Sequence, residues 1–279
     1  MSGAIHLLNL LQMVPFVIFE RREKFGIHIL DRYAFSIRIL MMKCKLCLQD
    51  RKLVKSHIIP EFFYKPAYDE RRISVLSTST KEKNRYVQKG VWERLLCEVC
   101  EQFLNQWEKY ICKVFYGGAG IETSYCKDKI TLLNIDYVKF KLFQLSALWR
   151  SSVATHRFFS RVNLGPHEER IRRMILNEDP GEYYEYGCVM IMLIDESKPM
   201  DSLILQPDLV KYEGYRIYRF IFGSIIWLFF VSSHTQNFAH KELFLNKSGK
   251  IIIFKKEMGD LPFFQEIAKE LLNAGKLQS

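Results

Sequence analysis

Two periods of apolar residues divide this chain of 279 residues into helical and extended stretches. In EVCEQFLNQWEKYICKVFY, which starts at residue 98, apolar side chains recur every three or four residues, and this spacing predicts an amphipathic helix. The glycine-rich GGAG at 117–120 is expected to end that helix and to separate two units. Four later stretches alternate or are almost continuously apolar, which predicts the strands YGCVMIMLI, YRIYRFIF, SIIWLFFVS and KIIIFKK.

The second unit, residues 121–279, combines these strands with three predicted helices. The first is expected to be long and amphipathic, over DYVKFKLFQLSALWRSSVATHRFFSRV, and a shorter one is expected over GPHEERIRRMILNEDPG. LPFFQEIAKELLNAGK is predicted to form the last helix, and Gly223-Ser224 is predicted to form a hairpin turn. The expected fold class is therefore α+β, with a mixed helix and antiparallel-sheet unit in this half.

The first unit, residues 43–116, begins with short extended segments. KLVKSHII alternates polar and apolar residues as a strand does, and Pro60 is expected to stop that strand. The polar segment DERRISVLSTSTKEKNRY predicts a loop or a hairpin before the chain enters the helix at residue 98.

Residues 1–42 match neither unit. Their apolar run, AIHLLNLLQMVPFVIF, has sixteen residues and includes polar side chains and proline, whereas a membrane-spanning helix needs about 20 apolar residues. Basic residues follow this run instead of preceding it, which argues against a secretory signal. We expect an N-terminal extension, either an over-long start with Met41 or Met42 as the natural first residue or a weak membrane anchor. A membrane is otherwise not an expected partner.

Positive charge is concentrated in the first unit. The chain has a formal net charge of +10, and residues 43–116 hold 15 Lys and Arg against 9 Asp and Glu. This excess favours a polyanion such as nucleic acid as partner, because each neutralised phosphate releases counterions. The alternative is an ordinary solvated basic surface.

Four of the seven cysteines form two Cys-x-x-Cys pairs. An odd total with paired spacing argues against a disulfide scaffold and predicts a reducing, cytoplasmic location. A two-residue gap lets a tight turn direct both sulfurs at one ion, and four thiolates leave no position on that ion for substrate. The alternative is two unrelated cysteine pairs in a core. We predict a structural Zn²⁺ site with the ligands Cys44, Cys47, Cys97 and Cys100.

The order of the motifs resembles one known family. CKLC at 44–47 is followed by SHIIP at 56–60 and by LCEVCE at 96–101. This order over residues 43–116 is similar to the zinc-containing HNH endonucleases of the ββα-metal (His-Me finger) superfamily. Those enzymes have a cysteine pair, an Asp-His-Ile-Ile-Pro-like strand, a loop with an asparagine and a helix that opens on a second cysteine pair. The resemblance implies an N-terminal treble-clef zinc module.

The resemblance also implies an activity and its residues. The strand histidine of the family is a general base, which gives His57 the role of taking a proton from the water that attacks phosphorus. The resemblance further implies a Mg²⁺ or Mn²⁺ ion beside the phosphate, held by Glu101 with Ser56 or Asn105. The implied function is metal-dependent hydrolysis of phosphodiester bonds in nucleic acid, in DNA rather than RNA on family grounds. Proteins of this family often act in bacterial restriction or anti-phage systems.

The chain departs from the family pattern at three positions. Ser56 stands where the family usually has Asp or His, and Glu101 where it has Asn or His. Trp92 stands in place of the middle asparagine, which Asn84 could replace from the loop, although the spacing does not require it. The alternative function is therefore a catalytically inactive zinc module that binds nucleic acid or protein. Without the cysteine pairs, His57 itself would be interpreted as an ordinary hydrogen-bonded strand residue.

Two further sets of residues are candidates for contact with a metal ion or with phosphate. On the predicted helix, Glu101, Asn105 and Glu108 share one face, which either points at a metal or forms the solvated side. Residues 121–279 are assigned no role beyond contact with a protein partner or a second copy of the chain. The candidate phosphate contacts are basic residues of the first unit, namely Lys52, Lys55, Arg71, Arg72, Lys81, Lys83 and Arg85.

Overall fold

The computed structural model describes residues 42–67, 74–75, 85–86 and 90–265. These residues form a mixed α+β structure, as predicted. The predictions for residues 1–41 lie outside this part of the chain. The predicted last helix begins at residue 262, and its remainder also lies outside the described residues.

Six short strands and one helix form the first part of the described chain. They are β1 (Met42–Lys43), β2 (Asp50–Arg51), β3 (Leu53–His57), β4 (Ser74–Val75), β5 (Arg85–Tyr86), β6 (Trp92–Cys97) and α1 (Glu98–Tyr116). The strands pair antiparallel as β1–β2, β3–β6 and β4–β5, and the β4–β5 pair lies in the segment predicted as a loop or hairpin. α1 follows β6 directly and ends at Gly117, whose φ of 95° suits glycine.

One mixed sheet dominates the second part. Its strands are β7 (Glu122–Tyr125), β8 (Lys129–Leu133), β9 (Cys188–Asp195), β10 (Lys198–Pro199), β11 (Leu205–Tyr212), β12 (Tyr215–Phe222), β13 (Ile225–Phe230) and β14 (Ile251–Glu257). The order is β11-β12-β13-β9-β14-β8-β7, with β10 paired to β9. Its strand pairs are antiparallel except β9 and β14, which are parallel. The predicted turn at Gly223-Ser224 joins β12 to β13, and both residues have positive φ.

The helix that follows β8 differs from its prediction. α2 (Tyr137–Val153) ends at Val153 instead of continuing through HRFFSRV, and its residues from Phe140 to Ser151 are all buried. It therefore has no solvated face over that stretch. α2 packs against α1 and against α3 (Pro166–Leu176), and its phenylalanines contact Trp227 of β13. Within the described ranges, none of the helices combines the length and the apolar content needed to cross a membrane.

A single buried cluster joins the cysteine module to the sheet. It extends from Cys44 to Ile253 along the chain. The ring of Phe63 lies at this junction, with its centre 4.9 Å from that of Phe222 and 5.4 Å from that of Phe115. The elements that carry the candidate site residues are therefore fixed by a core to which both halves contribute.

Lys141 of α2 is buried in this core. Its Nζ donates a hydrogen bond to the main-chain oxygen of Tyr186 at 2.9 Å. Burial lowers the pKa of Lys141 to about 7, because the charged ammonium is poorly solvated there. The folded chain therefore favours the neutral amine at pH values where an unfolded lysine is still protonated.

This lysine is expected to make stability depend on pH. Between about pH 7 and about pH 10 the unfolded state binds a proton that the folded state does not, so the free energy of unfolding should rise with pH. Lys141→Met should remove up to about 1.4 kcal/mol per pH unit from that slope, measured by urea unfolding across this range. Lys127→Met, which removes an exposed lysine, is the matched control and should keep the wild-type slope. An unchanged slope in Lys141→Met would contradict the assignment.

Candidate metal centre and adjoining cavity

The four cysteines predicted to bind zinc lie together. The Sγ atoms of Cys44, Cys47, Cys97 and Cys100 are all within 4.8 Å of one another, and the Cys47 and Cys97 sulfurs are 3.9 Å apart. Four sulfurs about 2.3 Å from a common ion in a tetrahedron stand roughly 3.8 Å apart. The spacing therefore fits a tetrahedral metal ion such as Zn²⁺, which this cluster could hold.

Local backbone structure positions these sulfurs. In the turn between β1 and β2, the Cys44 amide donates to the Gln49 carbonyl and the Leu48 amide donates to the Cys44 carbonyl, both at 2.9 Å. Leu48 has a φ of 60°, which lets the chain turn back within a few residues. On the opposite side, the Cys97 amide donates to Cys44 Sγ at 3.3 Å. Such a bond favours the thiolate that a metal requires.

Burial makes the thiolate forms unfavourable unless a cation compensates them. It raises the pKa of Cys44 and of Cys100 above the ordinary thiol value. Burial acts in the same direction on Cys97, but hydrogen bonds from Cys100 and the neighbouring sulfurs outweigh it, so the pKa of Cys97 is lowered. A divalent cation would hold the sulfurs as thiolates and remove this cost.

Arg172 of α3 supports the turn that carries the first cysteine pair. Its Nη1 donates to the main-chain oxygen of Leu46 at 2.5 Å, and its Nε lies 2.7 Å from Glu169 Oε2. Glu169 chiefly, and Cys47 to a smaller extent, raise the pKa of Arg172. This positive charge therefore stands beside the sulfur cluster, where it offsets negative charge on the thiolates.

Next to the cluster, β3, the turn after it and α1 enclose a cavity of about 330 Å³. His57, the last residue of β3, lies on one side of this cavity and is partly exposed. The face of α1 that the sequence spacing identified lies on the other side of the cavity. The residues that line the cavity are His57, Glu61, Phe62, Lys65, Glu101, Gln102, Asn105 and Glu108.

Glu101 and Ser56 form a largely buried polar pair near this cavity. Burial raises the pKa of Glu101, while the charge of Arg150 and the nearby Ser56 hydroxyl oppose that rise. Ser56 is fully buried. The hydroxyl is near the carboxyl, yet Ser56 Oγ and Glu101 Oε2 are buried atoms without a hydrogen-bond partner among the described residues. Glu101 lines the same cavity as His57, and Ser56 precedes His57 on β3.

Arg150 of α2 is the main contributor that the sequence analysis missed. Its side chain is 0% exposed, and Nη2 lies 2.6 Å from Glu108 Oε1. Its Nη1 donates to the main-chain oxygen of His57 at 2.6 Å. A charged residue inside the apolar run QLSALWRSSV was the only local signal of this contact. Glu61 and Lys65, on the turn after Pro60, were also not predicted as cavity residues.

The remaining predicted residues occupy the surface or lie outside the described residues. Lys52 and Lys55 are exposed, and Lys55 Nζ is 4.6 Å from the ring centre of Trp92. Trp92 is paired with His57 across the β3–β6 ladder and is 42% exposed. For Arg85 only the backbone in β5 is described. The residues outside the described ranges are Arg71, Arg72, Lys81, Lys83 and Asn84.

The arrangement of side chains supports the predicted zinc site more strongly than the predicted Mg²⁺ or Mn²⁺ site. In the described part of the chain, the four cysteines form the one group of three or more histidine, cysteine or carboxylate ligands close enough to share an ion. His57, Glu101 and Glu108 line one cavity without forming a second such group. Comparison with protein-family models, with curated proteins and with solved structures finds no match to this chain.

Proposed function

We propose that this chain is an HNH-type endonuclease, a hydrolase that cleaves phosphodiester bonds of nucleic acid with the help of a divalent cation. The observation that carries the proposal is that His57, at the end of β3, and Glu101, directly after Cys100, line the same cavity. The order of β3, β6 and α1, with one cysteine pair in the turn before β3 and the other where β6 meets α1, supports the treble-clef module that the resemblance implies.

In this proposal His57 acts as the general base. An imidazole can accept a proton near neutral pH, so it can activate the water that attacks phosphorus. The backbone holds the residue at the edge of the cavity, because its carbonyl accepts from Arg150 and the next amide, of Ile58, donates to Val91 at 3.2 Å. The base therefore stands on a strand fixed on both sides of the residue.

The proposed cation would be bound by oxygen atoms beside His57. Glu101 Oε2 and Ser56 Oγ are buried without a hydrogen-bond partner in the described ranges, and the amide of Asn105 lines the same cavity. Carboxylate, hydroxyl and amide oxygens are ligands that suit Mg²⁺ and Mn²⁺. Such a cation supplies positive charge to the phosphate and to the departing oxygen.

Nucleic acid is the proposed substrate, and DNA is preferred to RNA because of the resemblance. The excess of positive charge in residues 43–116 supports a polyanionic substrate. Lys52, just before β3, and Lys55, on β3, are exposed. Lys65 lies at the cavity, where its positive charge could contact a phosphate. A role in bacterial restriction or defence against phages would fit such an activity.

One observation favours a second function, that of an inactive zinc module that binds nucleic acid or a protein. The guanidinium of Arg150 already places a positive charge beside Glu108 and near Glu101, as a cation would. Ser56 and Trp92 stand where the family has stronger metal ligands. In this function the carboxylates are neutralised by the protein itself, and zinc serves only to hold a binding surface.

Substitution of Glu101 separates the two functions. Glu101→Gln is expected to lower the rate of Mn²⁺-dependent cleavage of supercoiled plasmid by roughly 100-fold, because the amide loses the negative charge that attracts the ion. Glu98→Gln is the matched control, since Glu98 is an exposed glutamate in the first turn of the same helix, and should cleave at the wild-type rate.

The same samples are tested for DNA binding by fluorescence anisotropy. A wild-type protein that binds DNA but does not cleave it, whatever cation is added, supports the inactive module. Equal activity in Glu101→Gln and Glu98→Gln removes Glu101 from the proposed site.

A further inference from the structure

Arg150 contacts both elements that border the cavity, β3 and α1, without lining the cavity itself. It belongs to α2, in the second part of the chain, and its side chain is 0% exposed. One nitrogen bonds to the main-chain oxygen of His57 on β3, and another contacts the carboxylate of Glu108 on α1, both at 2.6 Å. A single planar guanidinium thus sets the separation between the strand that carries the proposed base and the helix that carries the proposed cation ligands.

Packing alone does not explain a buried arginine at this position. Buried ion pairs can often be replaced by well-packed apolar side chains without loss of stability, because burying the charges is costly. Arg150 is not even fully satisfied, since its Nε and Nη2 are buried atoms without a hydrogen-bond partner among the described residues, and Nη2 contacts Glu108 as an ion pair without hydrogen-bond geometry.

We propose that Arg150 is a positioning residue. Its contacts with the His57 carbonyl and with Glu108 hold the base and the α1 carboxylates at the separation that catalysis requires. It does not line the cavity, so it acts through those partners and not on the substrate. This inference rests on the proposed nuclease function. It gives α2 a definite role, which is to hold β3 and α1 in place at the site.

Two further contacts connect the same parts of the chain. The Glu93 carboxylate, on β6, accepts hydrogen bonds from the backbone amide and the hydroxyl of Thr155, just after α2, at 3.0 and 2.9 Å. Arg172 of α3 reaches the turn that carries the first cysteine pair. These contacts hold the outside of the β3–β6 pair and the turn before it, whereas Arg150 is the one that reaches the candidate catalytic residues.

The experiment compares a charge-conserving and a charge-neutral replacement. Arg150→Lys keeps the positive charge beside Glu108 but loses the fork that reaches both partners. Arg150→Met combined with Glu108→Gln removes both charges, so that neither is left buried alone. For each protein, zinc content and urea unfolding are measured first, and then kcat and KM for Mn²⁺-dependent plasmid cleavage.

We expect both variants to retain zinc and to fold. Their kcat should fall by about 10- to 100-fold while KM for DNA changes by less than about twofold, because the base is misplaced but the DNA-contacting surface is intact. A residue that merely balanced charge would be replaced successfully by lysine or by the neutral pair. A wild-type kcat in either variant therefore overturns the inference.

A second measurement keeps the inference testable if the wild type does not cleave DNA, an outcome that would defeat the proposed function alone. The His57 ring signal in an NMR spectrum of histidine-labelled, zinc-loaded protein is identified by its loss in His57→Ala. A shift or broadening of this signal in Arg150→Lys, with the other histidine signals unchanged, supports the positioning role. An identical His57 signal in the wild type and in Arg150→Lys overturns it.

Discussion

Replacing Cys97 with serine is expected to abolish zinc binding and to unfold the first part of the described chain. Zinc contributes on the order of 10 kcal/mol or more to the folding of a four-cysteine site, which is comparable to the whole stability of a domain. Cys97 also provides the amide that bonds to Cys44 Sγ, and it precedes the first residue of α1. The loss of this ligand should therefore release both the turn and the start of the helix.

The measurement is metal content by mass spectrometry together with thermal unfolding followed by circular dichroism. Cys126→Ser is the matched control, because Cys126 is exposed and lies outside the cluster. The control should bind one zinc ion and melt as the wild type does. Full zinc content and an unchanged melting curve in Cys97→Ser would contradict the assignment of this centre.

Replacing His57 with alanine is expected to reduce metal-dependent cleavage of DNA by roughly 10²- to 10⁴-fold, the usual contribution of a general base. The substitution removes only the ring. The main-chain oxygen that accepts from Arg150 and the β3–β6 ladder remain, so zinc content and the melting curve should not change. A loss of activity without a loss of fold would identify the imidazole as part of the chemistry.

His240→Ala is the control for this prediction, since His240 has an exposed side chain and does not line the cavity beside His57. It should keep the wild-type rate of cleavage. A His57→Ala variant that cleaves as fast as His240→Ala, or one that has lost its zinc, would show that the histidine is a structural residue.

Local spacing was sufficient to predict the parts of the site that lie close together in sequence. A Cys-x-x-Cys turn and the helical period are properties of a few residues, so the cysteine cluster and the face of α1 with Glu101 and Asn105 could be identified. The strands β9, β12, β13 and β14 were found for the same reason, because each is an apolar run.

Contacts between distant residues could not be predicted in this way. Arg150 is 93 residues from His57, and Arg172 is 126 residues from Leu46, so only the packing of α2 and α3 brings these pairs together. The same packing buries both sides of α2, which explains why a helix predicted to be amphipathic has no solvated face over most of its length.

Three strands gave too weak a pattern for sequence analysis. β7 is exposed at every residue, so no alternation of buried and exposed side chains marks it. β11 buries residues only in its first half and contains Pro207 and Asp208, which are uncommon in strands. β8 alternates partly buried and buried residues over only five positions. Their places in the sheet are set by pairing with stronger neighbours, such as β12 and β14.

The most direct test of the proposed nuclease is the rate at which the zinc-loaded wild-type protein cleaves supercoiled plasmid with and without added Mn²⁺ or Mg²⁺. The added cation is omitted in the control instead of being chelated, so that zinc at the predicted four-cysteine site is retained. The proposal predicts that nicked and linear DNA form at least about 100-fold faster when the cation is present. A folded protein with full zinc content that binds the plasmid, yet shows no cation-dependent cleavage, would contradict it.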